Sequence, residues 1–416
     1  MVEEKMEKRE QASGKFRIED FPVKKEYGKI TQESFFTLRD RIGVERARPL
    51  EDWEIGDMRF TRSFIRRAAL AIGDYNPLYR DLEYAKKSPH STIIAPPTVM
   101  QHIEQINART DGMPGMHALY RGITLRWRRP IRMGEVVMGK TYLRDVQLSG
   151  SQLSGVSVIQ WYETIGTSDK GDEVGRVLTS WSRHERMAAA KTTGARQKLR
   201  PQASYTLEDI ERIKEAYRKE GRRGAEPRYW EDVEVGEELP PVIKGPTCLP
   251  QRMFGESAAM VGSEIKIGAS GDWGVQHAQL WKLIEQHPGL PYINEQGVPE
   301  VPVTIHNSNE KAQRYLGLPG GYDAGMQRIN WTGHLLMNWV GDHGFLRELT
   351  IKMPQLNIMG DTTWCRGKVT GKRVEDGKHI VELDVWNENQ VPNIVTQATA
   401  QVVLPSRSDP SAKTWD

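Results

Sequence analysis

The stretch "IGDYNPLYRDLEYA" (72–85) places an acidic residue, Asp74, in a proline-containing segment between two regular patterns. Before it, "FTRSFIRRAALAIG" (60–73) repeats apolar residues at the spacing of an amphipathic helix. After it, the chain runs to the Pro-Pro pair of "IIAPPT" (93–98). An Asp in such a segment can serve as one member of an acid–base pair. Alternatively, Asp74 and Asn76 hold the loop together, because their side chains readily bond nearby backbone.

The chain contains an internal repeat, which determines how the remaining residues are grouped. "EDWEIGDMRF", beginning at 51, returns as "EDVEVGEELP", beginning at 231, an offset of 180. Later matches share an offset of 226 or 227: Tyr79 with His306, Glu83 with Glu310, Met100-Gln101 with Met326-Gln327, and Met133-Gly134-Glu135 with Met359-Gly360-Asp361. The offset increases by about 46 residues, from 180 to 226 or 227, which predicts an insertion of that length in the second copy, near 261–299.

Two homologous halves follow from this repeat. The predicted segments are an N-terminal extension (1–45), a first half (46–187), a basic linker with a helix (188–225), a second half with the insertion (226–406) and a tail (407–416). The charged N-terminal run and the tail are expected to be mobile.

The composition excludes several classes of protein. The 416 residues carry a net charge of +3, which is too small to indicate a nucleic-acid partner. No apolar run approaches the roughly 20 residues that cross a bilayer, and no secretory signal is visible, so a cytoplasmic location is expected. Two cysteines allow neither a disulfide framework nor a Cys-rich metal site, and no metal is predicted.

The order of predicted elements indicates an α+β fold. Each half begins with a short strand and a helix, and a central helix starts near 95–107 in the first copy and 322–341 in the second. The period then changes to two in "VSVIQWYETIG" (156–166), "HIVELDVWNEN" (379–389) and "IVTQATAQVVLP" (394–405), which are predicted strands. An antiparallel sheet would wrap around one central helix in each half, and two halves side by side would form a longer sheet.

These residues resemble a known family. The pattern D-Y-N-P-L-Y-x-D-x-E-Y-A (74–85), followed by "IIAPPT", resembles the MaoC-like enoyl-CoA hydratases, also called (R)-specific hydratases. Over about 50–405 the chain resembles the two-domain FAS1-like dehydratases. The resemblance implies a double hotdog fold and a hydro-lyase that adds or removes water across the double bond of an enoyl-CoA thioester. It implies no cofactor beyond the CoA carried by the substrate.

The first copy matches the family motif, Asp-x-Asn-Pro-x-His, only in part. Asp74 and Asn76 match, but Tyr79 stands where the motif has His. In related double hotdog hydratases the first half generally loses the chemistry and helps to bind CoA. Asp74 and Asn76 are therefore either members of the site or remnants that hold a loop. Tyr79 either donates a hydrogen bond in a pocket or packs in the core.

The second copy keeps the His and loses the Asp. His306 matches the motif His, and Gly325 of "AGMQ" matches the glycine whose N–H polarises the thioester carbonyl. Val301 stands at the Asp position, so the adjacent Glu300 is the candidate substitute. The resemblance thus places the catalytic site around His306. The alternatives are a surface His306 and a solvated Glu300, whereas His334 on the central helix is read as a core histidine.

Substrate contacts are predicted at four positions. Arg126 and Arg128 lie in an arginine-rich strand, "RGITLRWRRPIRMG" (121–134), and guanidinium groups match phosphate oxygens such as those of CoA. The alternative is a charged edge strand that resists aggregation. Trp273 in the insertion and Met326 beside Gly325 are the candidates for the acyl pocket.

Three functions remain open at this stage. A hydratase or dehydratase acting on an acyl-CoA thioester is the first, and a hotdog thioesterase is the second, because one fold hosts both chemistries. The third is an acyl-CoA-binding, non-catalytic subunit of a hydratase complex. The expected partners are an acyl-CoA substrate and further copies of the chain, in a homodimer or larger homo-oligomer, with neither nucleic acid nor membrane.

Overall fold

A ten-stranded antiparallel sheet organises the described part of the chain. The computed structural model describes residues 16–45, 57–104, 113, 115–151, 154–185, 202–248, 292–293, 295–300 and 304–416. The first half contributes β1 (Asp57–Arg59), β2 (His117–Trp127), β3 (Val136–Ser151), β4 (Gly155–Ser168) and β5 (Glu173–His184). The second half contributes β6 (Val242–Lys244), β9 (Phe345–Lys352), β10 (Thr363–Glu375), β11 (Lys378–Asn389) and β12 (Ile394–Val403). Within the second half, between β6 and β9 in the chain, β7 (Tyr292–Ile293) and β8 (Pro299–Glu300) form a separate two-stranded pair.

The strand order shows that the two halves are equivalent. The order is β1-β3-β4-β5-β2-β9-β12-β11-β10-β6, so each half repeats the other outward from the β2–β9 junction. At that junction Thr124 pairs with Thr350, and their hydroxyls lie 3.0 Å apart. These two residues are separated by 226 positions, the offset of the sequence repeat. Equivalent residues that pair across antiparallel strands mark a local two-fold relation, so the predicted side-by-side arrangement is confirmed.

Seven α-helices lie in the described residues. They are α1 (Gln32–Arg39), α2 (Arg62–Ile72), α3 (Leu82–Lys86), α4 (Leu207–Arg218), α5 (Thr304–Asn307), α6 (Asn309–Leu316) and α7 (Gly325–Val340). Helix α7 is the central helix of the second half, and every residue from Trp331 to Val340 is buried. A helix that is covered on all faces must be enclosed by the rest of the fold. Helix α7 packs against β6, β9, β10 and β11.

The first half has no equivalent α-helix among its described residues. The segment predicted as its central helix is a 3-10 helix, Pro97–Ile103, which follows Pro96. Two successive prolines lack backbone N–H groups and restrict the residue before each of them, which disfavours a regular α-helical start. The segment lies against the sheet so closely that a Cβ on Gly139 would approach the Ile103 carbonyl oxygen to 2.2 Å. The two central segments meet where Gly333 of α7 faces Thr98.

Several elements begin or end at residues whose chemistry favours a helix cap or a turn. The linker helix is α4, and Thr206 caps it by accepting a hydrogen bond from the Asp209 N–H. Asp376 and Gly377 both have positive φ and connect β10 to β11, as expected for an Asp-Gly hairpin. Helix α2 begins after the cap Thr61 and ends at Gly73 in the left-handed conformation. The chain therefore enters the Asp74 segment directly from a C-terminal helix cap.

The charged N-terminal run, which was expected to be mobile, lies outside the described residues, but the chain that follows it and the tail are both packed against the fold. In the N-terminal extension, α1 packs against β3 and buries Phe35 and Leu38. In the tail, the Trp415 ring stacks on the His90 ring at a centroid distance of 4.8 Å. The Asp416 N–H donates to the Arg128 carbonyl at 3.0 Å. Composition suggested a solvated tail, but Trp415 and Asp416 contact both halves: Trp415 lies against His90 and Phe345, and Asp416 pairs with Arg128 and Lys378.

Candidate active site

The segment from Asp74 to Tyr79 is held by its own side chains. The Asp74 carboxylate accepts a hydrogen bond from the Asn76 N–H at 2.8 Å, and the Asn76 side-chain oxygen Oδ1 accepts one from the Leu78 N–H at 3.0 Å. Pro77 then begins a single turn of 3-10 helix, Pro77–Tyr79. This is the local bonding expected of Asp and Asn in a loop. The loop-holding role is therefore present, whether or not Asp74 also acts on a substrate.

Asn76 also joins the two halves. Its Nδ2 donates to Asp342 Oδ1 at 2.8 Å, and the Tyr84 hydroxyl donates to Asp342 Oδ2 at 2.6 Å. His90 Nε2 lies 3.0 Å from the Asp342 carbonyl oxygen. Asp342 follows the C-terminus of α7, so the motif segment of the first half is fixed to the central helix of the second.

A buried cluster of ionisable side chains surrounds His334 on α7. Lys244 Nζ lies 2.7 Å from His334 Nδ1 and donates to the Ile72 carbonyl at 2.9 Å. His334 Nε2 lies 3.3 Å from Glu220 Oε1 and 3.9 Å from Asp74 Oδ1. The Asn338 amide is 3.1 Å from the same nitrogen. The contact with Asp74 is electrostatic, because 3.9 Å exceeds a hydrogen-bond distance.

Burial shifts the proton affinities in this cluster. It raises the pKa of Asp74 to about 6, against the hydrogen bond from Asn76 and the charge of Lys244. Burial lowers the pKa of Lys244, and burial with the positive charge of Lys244 lowers that of His334 well below its usual value. A Lys ammonium has only donors, so it favours Nδ1 of the neutral ring as acceptor. Nε2 faces the carboxylates of Glu220 and Asp74 and also the Asn338 Nδ2, which can only donate, so the contacts of the ring do not assign its proton to one nitrogen.

Tyr79, which stands at the motif His position, is fully buried beside this cluster. Its hydroxyl has no hydrogen-bond partner among the described residues. Burial, together with the charges of Asp74 and Asp342, raises the pKa of Tyr79 well above its usual value. Tyr79 therefore stays a neutral phenol and cannot replace an imidazole as a base.

His306 lies beside the N-terminal end of α7. Its Nδ1 is 3.0 Å from the Tyr322 carbonyl oxygen, and the two rings are in contact at a centroid distance of 4.0 Å. A carbonyl oxygen can only accept, so Nδ1 carries the proton of the neutral ring and Nε2 is the basic nitrogen. The Tyr322 hydroxyl reaches His117 Nε2 of the first half at 3.3 Å. Both halves thus contribute to the position of His306.

Gly325 is the first residue of α7 and follows the cap Ala324. The first N–H groups of an α-helix have no partner within the helix, and the helix dipole adds partial positive charge there. Met353 and Tyr120 crowd Gly325: an added Cβ would lie 2.9 Å from the Met353 sulfur and 3.3 Å from the Tyr120 Cβ. The helix start can therefore stabilise a partial negative charge, and little space remains beside it.

Charged groups hold this end of α7 in place. Asp323 and Arg328 form a buried ion pair with a 3.0 Å separation. Arg328 Nη1 also donates to the carbonyls of Gln355 and Val395 at 2.8 and 2.6 Å. The Gln327 side chain accepts a hydrogen bond from the Ala324 N–H at 3.1 Å. The orientation of the helix start is thus fixed from two sides.

The other predicted site residues are placed as follows. Glu300 ends β8 and pairs with Tyr292; its backbone position is described, but its side chain is not. Met326 is the second residue of α7, next to Gly325. Trp273, like most of the 261–299 insertion, lies outside the described residues. The roles of Glu300, Met326 and Trp273 stay predictions.

Arg126 near the end of β2 and Arg128 just after it are paired with carboxylates. Arg126 Nε donates to Glu348 on β9 at 2.8 Å, and Arg128 lies 3.6 Å from Glu173 and 3.5 Å from Asp416. The alternative of a charged edge strand is wrong, because β2 pairs with β5 on one side and β9 on the other. A contact of Arg126 or Arg128 with CoA phosphates stays a prediction and requires exchange of these partners.

Sequence reasoning missed Lys244, Glu220 and Glu104. Glu104 is buried and accepts a hydrogen bond from the Thr179 hydroxyl at 2.7 Å. Burial raises the pKa of Glu104 to about 8, against that hydrogen bond. Lys244 could have been noticed in the sequence, because it lies in the apolar run "PPVIKG" (240–245), where a charged side chain is unexpected. Neither carboxylate had a comparable signal.

Two negative findings complete the description of the site. In the part of the chain that the structure describes, no group of three or more His, Cys, Asp and Glu side chains is arranged to hold a metal ion. Within the same residues, no helix has the length and hydropathy needed to cross a bilayer.

Comparison with known proteins identifies the family. The family model "FAS1-like, dehydratase domain region" matches residues 53–177. A UPF0336 protein from Thermobifida fusca is 33% identical over 122 residues, which are 28% of this chain and 76% of that protein. The chain belongs to the FAS1-like dehydratase family. A UPF0336 protein from Streptomyces coelicolor is 26% identical to this chain over 143 residues, 32% of this chain and 85% of that one.

Solved structures confirm the double hotdog fold of this chain. A MaoC-like dehydratase has a TM-score of 0.58 at 17% identity and covers 88% of this chain and 99% of its own. A MaoC domain dehydratase from Chloroflexus aurantiacus has a TM-score of 0.51 at 11% identity, over 87% and 99% of the two chains. A double hotdog protein from Mycobacterium tuberculosis has a TM-score of 0.50 at 8% identity, over 86% and 96%. At these identities the likeness shows the fold alone.

Proposed function

We propose that the protein is a hydro-lyase that adds water across, or removes it from, the double bond of an enoyl-CoA thioester. Membership of the FAS1-like dehydratase family supports the reaction class. The observation that carries the proposal is the placement of His306. Its imidazole is anchored to the carbonyl of Tyr322, three residues before Gly325 begins the central helix. This contact supports a base acting close to the start of the central helix, where partial positive charge can stabilise a thioester oxygen.

In this proposal His306 handles the protons. Nε2 accepts a proton from water while the water oxygen bonds to the β-carbon of the substrate. The electron pair of the double bond moves toward the thioester oxygen, and the imidazolium then returns a proton to the α-carbon. The reverse sequence is dehydration. General base catalysis of this kind contributes typically 10²–10⁴-fold in rate.

The N-terminal end of α7 stabilises the thioester oxygen as negative charge develops. The Gly325 N–H is the proposed donor, and the ion pair of Asp323 with Arg328 keeps the helix start in place. Glu300, on the segment leading to α5 and His306, is the proposed second acid–base group, and Met326 the proposed acyl contact. The thioester is proposed to be CoA-linked by extension from the reaction class.

The test uses the purified full chain with a panel of enoyl-CoAs of increasing chain length and branching. Absorbance of the conjugated thioester is followed in one channel, and a thiol reagent reports free CoA in a second. Loss of conjugation without thiol release is the expected result. Saturated acyl-CoAs of the same lengths serve as controls, because a hydrolase would cleave them too.

The remaining outcomes separate the alternatives. Thiol release from both enoyl and saturated thioesters would assign a thioesterase and refute the proposal. No change in either channel, with binding of the same thioesters detected by calorimetry, would assign a non-catalytic binding role. Either result would remove the proposed reaction while leaving the fold and the family unaffected.

A further inference from the structure

The proposed site lies in the second half, but its surroundings include the start of β2, a strand of the first half. His117 begins β2, and Tyr120 follows three residues later. His117 Nε2 lies 3.3 Å from the Tyr322 hydroxyl. A Cβ on Gly325 would lie 3.3 Å from the Tyr120 Cβ. One end of a first-half strand therefore borders both the surroundings of His306 and the start of α7.

Tyr322 connects β2 to His306 through two different groups. Its carbonyl oxygen is 3.0 Å from His306 Nδ1, and its ring lies against the imidazole with 4.0 Å between centroids and 44° between planes. The backbone of Tyr322 is fixed within the second half by a β-bridge to Ile358. The far end of its ring reaches the first half, where the hydroxyl contacts His117. The carbonyl thus selects the nitrogen that carries the proton, whereas the ring restricts rotation of the imidazole.

His117 lies among buried side chains that limit its own movement. It is buried and directly opposite His184 of β5, with about 4.5–5.5 Å between the Cβ atoms. His184 Nε2 is 2.8 Å from the Ser182 hydroxyl, and its Nδ1 is 2.9 Å from the Ser154 hydroxyl. Burial lowers the pKa of His184 to about 4, so this ring is neutral near pH 7. His117 therefore has a well-anchored, uncharged neighbour.

We propose that His117 of the first half is a positioning residue for His306 of the second. Through the Tyr322 hydroxyl it keeps the tyrosine ring against the imidazole and so holds Nε2 in the orientation that proton transfer requires. This inference rests on the proposed function, because it assigns a supporting residue to the same site. The first half then contributes to the reaction without supplying a group that transfers a proton.

The expected kinetic effect is a loss of turnover rather than of substrate binding. A displacement of about 1 Å in a catalytic arrangement can cost about 100-fold in rate. His117→Leu removes the polar partner of the Tyr322 hydroxyl but leaves the Tyr322 carbonyl in place, so part of that cost is expected, about 10–30-fold in kcat. KM is expected to change less than about threefold, because the contact acts on the base and not on bound substrate.

Further substitutions separate the polar contact from the volume of the side chain. His117→Gln places an amide, which can donate and accept, near the position of Nε2. His117→Asn carries the same amide on a side chain one methylene shorter and is the matched control. The Gln variant is expected to recover most of the lost kcat, whereas the Asn variant stays close to His117→Leu. Because Tyr322→Phe removes the same contact, its loss and that of His117→Leu should not add in the double variant.

His343 provides a control for the loss of a histidine as such. It stands 226 residues after His117, the offset of the repeat, and precedes β9 as His117 begins β2. His343→Leu is expected to keep the wild-type kcat. The thermal midpoint of each variant is measured in parallel, so that a fall in the amount of folded protein is not counted as a fall in turnover.

A spectroscopic measurement on the full chain reports the orientation of His306 without any substrate. The ¹⁵N chemical shifts of a histidine ring show which nitrogen carries the proton, and His306→Ala identifies the signals of this residue. The wild type is expected to show protonated Nδ1, because the Tyr322 carbonyl can only accept. His117→Leu is expected to show a mixture of both tautomers, and His117→Gln the wild-type form.

The inference is overturned if folded His117→Leu keeps the wild-type kcat, if its loss adds to that of Tyr322→Phe, or if His306 keeps a single tautomer in His117→Leu. If His117→Leu does not fold, the comparison of His117→Gln with His117→Asn decides instead, and equal kcat values for the two would overturn the inference. A wild type that hydrates none of the thioesters refutes the proposed function. The tautomer of His306 then still tests its contact with the first half.

Discussion

At the start of α7, a substitution can remove the Gly325 N–H while the backbone of the helix is kept. Gly325 occupies the first helical position, where proline is well tolerated because its N–H has no partner in the helix. The preceding Ala324 has extended dihedral angles, φ −86° and ψ 139°, as a residue before proline prefers. Gly325→Pro should therefore preserve the helix while deleting the proposed donor to the thioester oxygen.

Gly325→Ala is the matched control, because it adds the same Cβ and keeps the N–H. In both variants that atom would lie 2.9 Å from the Met353 sulfur, and a methionine side chain can move away. Loss of one donor of this kind typically costs 10²–10³ in kcat, or about 2.7–4 kcal/mol. We expect the Pro variant to fall below the Ala variant by that factor.

The assay is kcat and KM on the best enoyl-CoA, with the thermal midpoint of each variant. A Pro variant with a normal midpoint and the same kcat as the Ala variant would show that the Gly325 N–H does not stabilise the transition state. If both variants lose activity and stability together, crowding by Met353 and Tyr120 explains the loss, and the donor role has no support.

Two further predictions concern stability. The contribution of Glu104 to the free energy of unfolding should fall as pH rises from about 4.5 to about 8, since in this window folded Glu104 keeps a proton that the unfolded chain releases; at about 1.36 kcal/mol per pKa unit the effect is at most roughly 5 kcal/mol. In denaturant titrations, the free energy of unfolding of Glu104→Gln should therefore increase relative to that of the wild type as pH rises, and a difference between the two proteins that does not change with pH would contradict the assignment. Gly333→Ala should destabilise the chain by about 1–3 kcal/mol, because its Cβ would lie 2.3 Å from Thr98 Cγ2. Thr98→Ser lacks that methyl group and should recover most of the loss in the double variant. If the stability losses of Gly333→Ala and Thr98→Ser simply add in the double variant, this contact is refuted.

Much of the fold follows from local pattern and from the repeat. The offset of 226 predicted which residues are equivalent, and Thr124 and Thr350, separated by that number, meet at the β2–β9 junction. Strands with strict alternation, such as β11, and the capped helix α4 could be predicted because their signals lie within a dozen residues. The geometry of the first central segment could not: a helical pattern was visible, but the described part, Pro97–Ile103, is a 3-10 helix.

In the sequence, only the residues that match the family motif pointed to a candidate site. The match of His306 and Gly325 placed a histidine beside the start of the central helix, and the structure brings these elements together through Tyr322. The His334 cluster could not be predicted, because Asp74, Glu220 and Lys244 reach it from three separate segments. No periodicity relates residues that approach each other only after the halves pack. His334 was therefore read as an ordinary core histidine.

The most direct test of the proposed hydro-lyase is the turnover number of His306→Ala on the enoyl-CoA that the wild type hydrates fastest, measured at pH 7.5. We predict a loss of 10²–10⁴-fold in kcat with an unchanged circular dichroism spectrum, because Nε2 is the proposed proton acceptor. A folded variant that retains the wild-type rate would contradict the placement of the chemistry beside α7.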